Sequence, residues 1–338
     1  VFEYPYLIAE TAYNHEGDFG YLRDMVAGLP ECVDAVKFHL LADLDDYMLK
    51  GHPLYEKMGQ WLFSENEWTE VFRISAEKEL DVIALCDDIG SIRQAEQATQ
   101  VKAIELHATS INEIFMLEAC GSSEKTIILG IGGCADDEVE FALDILRKKG
   151  KNDDEILLMY GFQSFPTDYA NIRFGRLWHL MQRFKGIAFG YADHTPFDDE
   201  LNAYISAVPV SFGIGVIEKH FTLDKGKERI DYQSAVDMQD LKDVKSLMQA
   251  FAKAWAGGRI DQAEPERAYG EFGPARKAIV AKKPIKKGQR IDKTDIAFMR
   301  TPEKSPIRQC DVVKIIGAIA RQDIDIGEII TFNMLEGA

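Results

Sequence analysis

Apolar positions gather into eight short runs in the first three-quarters of the chain, at residues 6–11, 34–40, 81–86, 103–108, 126–131, 156–161, 187–191 and 216–222. Most are continuously apolar, the pattern of parallel strands covered on both faces. Between them the period lengthens to that of helices. Residues 65–78 place Trp68, Val71, Phe72 and Ser75 on one stripe, and 240–255 do the same with Leu241, Val244, Leu247, Met248, Phe251 and Trp255. Helices are also predicted at 91–99, 111–120, 172–184, 199–208 and 136–149; the last opens with two Asp and closes with Arg147, Lys148 and Lys149, the charge order a helix dipole favours. Eight strands alternating with helices predict an α/β fold, a (β/α)8 TIM barrel over residues 1–256, with 41–64 as a loop insertion. A doubly wound sheet is the alternative.

The texture changes after residue 256. Residues 257–273 carry Gly-Gly, a proline and several acids and read as a linker. From 274 to 338 short strands replace helical patterns. Pro284–Ile291 is echoed by Asp323–Ile330, a repeat of about 39 residues, which predicts a compact all-β module that buries one face against something else.

Composition narrows the function. The net charge of -17 disfavours nucleic acid or an anionic membrane as partner. From Glu271 onward there are 13 Lys and Arg against 9 Asp and Glu, a net of +4 that leaves -21 for the rest, so the small module has the charge to dock on the large one, in its own chain or a symmetry mate. The five cysteines lie far apart with no CxxC, which fits a reducing cytoplasm better than a disulfide framework or zinc knuckle. No apolar run reaches membrane-spanning length, and the first residues lack the pattern of a signal peptide.

In a barrel the chemistry belongs at the carboxyl ends of the strands. Glu10 closes the first run, Lys37 and His39 the second, Glu105 and His107 the fourth, Asp193 and His194 the seventh, and Glu218 and His220 the eighth. Period-two alternation puts Glu218 and His220 on one face. His194 and His220, on adjacent strands, are candidates to hold a divalent cation of the Mn2+, Fe2+, Co2+ or Zn2+ kind, with Glu10 or Glu218 completing it; a hydrogen-bonded network without metal is the alternative. Lys37 reads as an anion binder, a salt-bridge partner or an imine former. No phosphate-cradling GxGxxG or Walker loop is present.

These residues carry a resemblance. Ile8–Asp18 resembles the IAE-x-x-x-NH-x-G-D motif of the N-acetylneuraminate (sialic acid) synthase family, Asp34–His39 its DAVKFQ, Phe189–Thr195 its GxSDHT and Glu218–Thr222 its E[KR]HFT. Within that family the chain resembles the bacterial members that serve spore coat polysaccharide biosynthesis, and the tail resembles the antifreeze-like (SAF) domain of these enzymes. The resemblance implies condensation of phosphoenolpyruvate with an N-acetylated amino sugar to a nonulosonic 2-keto acid, with release of phosphate. It implies a divalent metal such as Mn2+ on His194 and His220. It also implies a homodimer in which each SAF domain covers the partner's barrel. By motif position Glu10 and Glu218 match acids at the reacting centre, Lys37 a lysine contacting phosphoenolpyruvate, and Asp231 an acid holding the sugar.

The motifs also depart from the family. His39 stands for a glutamine, Glu105–Ala108 for the phosphate-gripping Lys-Ile-x-Ser, Ala192 for a serine, Gln163 for an asparagine, and Leu85–Asp88 for STPFD. His39, Glu105, His107 and Gln163 are therefore candidate substrate-binding residues in a changed phosphate site. A different metal-dependent sugar aldolase, epimerase or isomerase, or a saccharide-binding protein without catalysis, are the competing readings.

Overall fold

The computed structural model describes residues 2–162, 164, 166–272 and 276–337. By internal contacts the chain divides into two compact units, Val1–Arg259 and Ile260–Ala338.

In the first unit eight parallel strands close into a barrel in sequence order: β1 (Tyr6–Glu10), β2 (Ala35–Leu40), β3 (Asp81–Cys86), β4 (Val101–Leu106), β5 (Thr126–Gly130), β6 (Ile156–Tyr160), β7 (Ala188–Asp193) and β8 (Val216–His220). A helix follows each strand: α1 (Phe19–Gly28), α2 (Glu65–Glu77), α3 (Ile89–Gln97), α4 (Ile114–Gly121), α5 (Asp136–Lys148), α6 (Phe174–Arg183), α7 (Asn202–Ala207) and α8 (Met238–Trp255). The predicted TIM barrel is therefore the observed fold.

Local chemistry explains most of the boundaries. Ser64 and Glu67 form a reciprocal capping box at the start of α2, and Asp237 caps α8 by accepting from the amides of Gln239 and Asp240. The helix expected at 172–184 is broken at Arg173, whose φ of 57° is left-handed; the Tyr160 hydroxyl donates to the carbonyl of Ile172 at 2.8 Å, satisfying a group the break exposes. Helix α1 was absent from the sequence pattern. Two glycines dilute its stripe, yet Asp18 caps it and Leu22, Met25 and Val26 are buried. The 41–64 insertion forms two short helices, Leu44–Tyr47 and Tyr55–Gly59, over a small cluster of Leu41, Leu44, Met58 and Trp61 that also packs Tyr13.

Strand alternation sorts side chains between two compartments. Outward-facing positions such as Leu7, Val36, Phe38, Val82, Ile104 and Ile217 join the helices in the large core. Inward-facing Tyr6, Ile8, Ala35, Ile83, Ala103, Ile128, Leu157, Met159 and Val216 fill the barrel. This apolar plug closes the barrel below the strand ends, so anything polar that points inward does so at the carboxyl mouth.

Asp193, expected at that mouth, points outward instead. Its carboxylate receives Lys219 Nζ at 2.5 Å, the Thr195 and Ser206 hydroxyls at 2.7 Å each, and the Tyr191 hydroxyl at 2.9 Å. Asp193 and Lys219 have no side-chain exposure. A buried pair is costly to break from one side, because the survivor keeps its desolvation cost without its partner.

The second unit holds a helix, α9 (Glu264–Phe272), followed by β9 (Ala278–Ala281), β10 (Ile296–Met299), β11 (Ile319–Ala320) and β12 (Leu335–Glu336). Thus part of the 257–273 stretch is helical. The strands pair antiparallel, β9 with β10 and β11 with β12. The sequence repeat is visible in the hydrogen bonds. Ile285 and Ile324, equivalent positions, exchange both backbone bonds at 2.9 Å. Gly288 N donates to Ala320 O at 2.7 Å, and its counterpart Gly327 N to Ala281 O at 2.8 Å. The two halves are thus related by a local two-fold and share one apolar core, including Ile279, Ile285, Ile291, Ile315, Ile324 and Ile330. Among the described residues no helix is long and apolar enough to cross a membrane.

Lys219→Met is expected to lower unfolding free energy by about 3–5 kcal/mol, measured by chemical denaturation, because Asp193 stays buried without its cation. A change within about 0.5 kcal/mol would show that the pair carries no such weight.

Candidate active site at the barrel mouth

Four buried side chains from four strands meet inside the barrel above the apolar plug. Lys37 Nζ lies 2.7 Å from Glu218, 3.2 Å from Glu105 and 3.3 Å from Glu10. Strands β2 and β4 flank β3, so Lys37 reaches Glu105 past one intervening strand. An ammonium has three protons, and three carboxylates surround this one. The Glu105 contact has hydrogen-bond geometry, while Glu218 makes the shorter approach.

Glu10 joins this cage to the imidazoles. One of its oxygens lies 2.9 Å from His39 Nε2; the other lies 3.2 Å from His220 Nε2 as well as facing Lys37. The β1–β8 register sets Glu10 beside His220, and the β1–β2 register sets it beside Lys37. His194 follows β7 directly, and its ring centroid lies 4.9 Å from that of His220, edge to face. Its carbonyl accepts from Thr167 N at 2.8 Å and Ser234 Oγ at 2.9 Å, which fixes the backbone that carries the ring.

The cage divides its protons unevenly. Burial pushes the Glu218 carboxyl well above the usual range, and the charges of Glu10 and Glu105 add to the effect despite the pull of Lys37. Burial likewise raises Glu105, with Lys37 opposing and Glu10 reinforcing. For Glu10 burial acts upward too, but the charges of Lys37 and His220 and the bonds from the two imidazoles outweigh it and hold the carboxyl well below its ordinary value. Burial disfavours the Lys37 ammonium, yet the three carboxylates raise its pKa. An imine role needs a neutral amine, and this cage keeps Lys37 protonated.

The histidines separate in the same way. Burial opposes a charge on His39, but Asp87 (3.7 Å from Nδ1) and Glu10 prevail and raise it to about 10, so it is an imidazolium at neutral pH. Burial and the neighbouring His220 lower His194 to about 3, leaving a neutral ring. His107 also faces the mouth, 6.4 Å from His39 between ring centroids; burial and the His39 charge lower its pKa, and its Nδ1 lies 2.7 Å from the Thr109 hydroxyl. Asp231 sits on the loop after β8 in a left-handed conformation, φ 62°. Burial raises its carboxyl, and the charges of His220, His39 and Glu10 all act on it. Gln163 lies outside the described residues.

Two participants were missed from sequence. Asp87 holds His39 and accepts from the Tyr13 hydroxyl at 2.9 Å, and the Tyr13 ring lies 4.9 Å from that of His39. Alternation would have found Asp87, since Ile83, Leu85 and Asp87 point the same way. The Gly130–Gly133 run makes a close turn at the rim: a Cβ on Gly132 would fall 1.8 Å from Gly161 O.

Comparison with known proteins agrees with this geometry. The model of the NeuB family matches residues 36–259, and that of the SAF domain matches 276–336. The chain belongs to the NeuB family. It is 29% identical over 299 residues to an uncharacterised protein of Methanocaldococcus jannaschii, covering 88% of this chain and 85% of the relative. With N,N'-diacetyllegionaminic acid synthase of Legionella pneumophila the identity is 25% over 349 residues, covering 98% and 94%. Among solved structures, a protein described as spore coat polysaccharide biosynthesis protein E from Chromobacterium violaceum superposes with a TM-score of 0.78 at 18% identity, over 98% of this chain and 99% of that one. That likeness shows the fold, an α/β barrel followed by the SAF module.

A metal implied by the family can be tested against the residues present. Among the described residues no group of three or more His, Cys, Asp or Glu side chains is arranged to hold an ion. The neutral His194 ring beside His220 offers two imidazole donors of the right chemistry, so the pair fits a divalent ion whose remaining ligands come from elsewhere.

The raised pKa of His39 has a pH signature. Its contribution to stability is complete below the unfolded value of about 6.5 and is lost as pH rises through about 10. Replacing His39 by Gln should therefore flatten the fall in unfolding free energy across that window. Identical slopes in the two proteins would contradict the assignment.

Proposed function

We propose that this NeuB-family chain condenses phosphoenolpyruvate with an N-acylated amino sugar, giving a nonulosonic 2-keto acid and inorganic phosphate. The observation that carries this reading is the convergence of Glu10, Lys37, Glu218, His194 and His220 in the mouth of a NeuB-family barrel, several of whose relatives are named as nonulosonic acid synthases. In the balanced reaction the methylene carbon of the enol phosphate bonds to the sugar's aldehyde carbon. Water adds at the carbon bearing the phosphate, phosphate leaves, and the aldehyde oxygen takes a proton.

The split between the carboxyls assigns the proton work. Glu218, held protonated by burial and its neighbours, is the acid that supplies the aldehyde oxygen. Glu10, held ionised, is the base that accepts a proton from water. Lys37 orients the anionic co-substrate and His39 adds a second positive charge on the same side. Asp231 and His107, at the rim, contact the sugar, and Gln163 is assigned to the same role by motif position. A divalent ion, Mn2+ by family resemblance, would be held by His194 and His220 and would polarise the aldehyde.

The active form is proposed to be a homodimer in which the basic SAF module of one copy covers the acidic barrel of the other, a reading supported by the charge asymmetry along the chain. All five cysteines are free, which supports a cytoplasmic location. The product is proposed to feed surface or spore coat polysaccharide, a reading supported by 24% identity over 324 residues to the spore coat polysaccharide biosynthesis protein of Bacillus subtilis.

Mixing the enzyme with Mn2+, phosphoenolpyruvate and a panel of N-acylated hexosamines should release phosphate in step with consumption of one sugar. Sugar turnover that needs no phosphoenolpyruvate would replace this reading with a metal-dependent aldolase or isomerase. His220→Ala should lose stoichiometric metal, measured by calorimetry, and metal retained at full stoichiometry would remove the imidazole pair from the metal role.

A further inference from the structure

The anionic end of a co-substrate has few places to go in this mouth. On the far wall the inward positions near the strand ends are Gly130 on β5, Met159 and then Gly161 on and after β6, and Gly190 and Ala192 on β7. None of these carries a charge or a hydroxyl. Positive charge is concentrated on the opposite side, in Lys37 and His39. Both His39 ring nitrogens face carboxylates, Glu10 at 2.9 Å and Asp87 at 3.7 Å. Among the described inward-facing strand residues Lys37 is the cation an incoming anion would engage, and three carboxylates already lie within 3.3 Å of it.

The three are not equivalent. Glu10 also has His39 and His220 as partners, so it remains in place if Lys37 turns away. Glu105 comes from β4, next but one to β2 and adjoining the uncharged wall, is buried, and makes its hydrogen bond with Lys37 at 3.2 Å. It stands where a bound anion would stand, in the interior beside the uncharged wall. We propose that Glu105 is an internal anion that occupies Lys37 and so sets the affinity and charge selectivity of the co-substrate site. An entering phosphate or carboxylate displaces the Glu105 carboxylate from the ammonium and meets its charge at short range, an unfavourable contact in a buried site. Glu105 is thus a specificity-determining residue, and it disfavours a dianion more than a monoanion.

This inference rests on the proposed reaction for the identity of the co-substrate, but its test does not require turnover. Calorimetric titration of inorganic phosphate and of phosphoenolpyruvate into the full-length wild-type protein, Glu105→Gln, Lys37→Met and the double variant measures the competition directly. Glu105→Gln keeps the shape and removes the charge, so both probes should bind at least about tenfold tighter. In the Lys37→Met background the same substitution should yield no gain. Unchanged or weaker binding by Glu105→Gln overturns the proposal, as does a gain that persists without Lys37. If Glu105→Gln does not fold, Glu105→Ala carries the same comparison. Tighter binding of both probes with no condensation of any sugar would leave this inference standing and remove the reaction. Condensation without tighter binding would do the reverse.

Discussion

One ammonium organises the mouth of this barrel. Lys37 is buried at a strand end, where an uncompensated charge would cost several kcal/mol, and the carboxylates of β1, β4 and β8 converge on it. Each of those acids would itself be costly to bury alone. The cluster is stable because the groups are buried together, and because the surplus negative charge is relieved by a proton held on Glu218. The imidazoles are then placed by register from Glu10, which touches both His39 and His220. A raised carboxyl, a lowered carboxyl and a buried cation follow from one electrostatic arrangement rather than from separate devices.

The barrel was legible because its signals are redundant. Eight apolar runs with helical gaps leave few other solutions, and a shift of two or three residues at an end, as in β4 or α4, changes nothing in the topology. The site was legible because period-two alternation and the barrel rule together send Glu10, Lys37, Glu105, Glu218 and His220 inward at one end. Where alternation was not applied the reading slipped: Asp193 was grouped with the mouth though it lies one position out of phase with Ala192, and Asp87 was passed over though it lies in phase with Leu85. What no local pattern conveys is charge state. Glu10, Glu105 and Glu218 are the same residue type at similar burial, and their different pKa directions depend on which neighbours the closed sheet brings within a few ångströms.

The buried pair of Asp193 and Lys219 lies on the other side of the same two strands that present His194 and His220. Neighbouring residues along β7 and β8 are thus divided between a sealed network that holds the strands against α7 and the polar groups gathered inside the barrel mouth. The EKHFT stretch serves both: Glu218 and His220 point into the mouth and Lys219 into the wall. Its order matters because a one-residue slip would exchange the two sets of side chains.

The small C-terminal module is built from two copies of one motif, and its symmetry reaches down to individual backbone bonds. Ile285 bonds Ile324, and the amide of each glycine turn bonds the first strand of the opposite half. Each half forms its own antiparallel pair, β9 with β10 and β11 with β12, and these cross-bonds join the two pairs into one module. The bonds do not depend on the segment joining the halves. The first half of one molecule and the second half of another present matching donors and acceptors, so the module has, built into its hydrogen bonding, the means to interlock with a second molecule by reciprocal exchange.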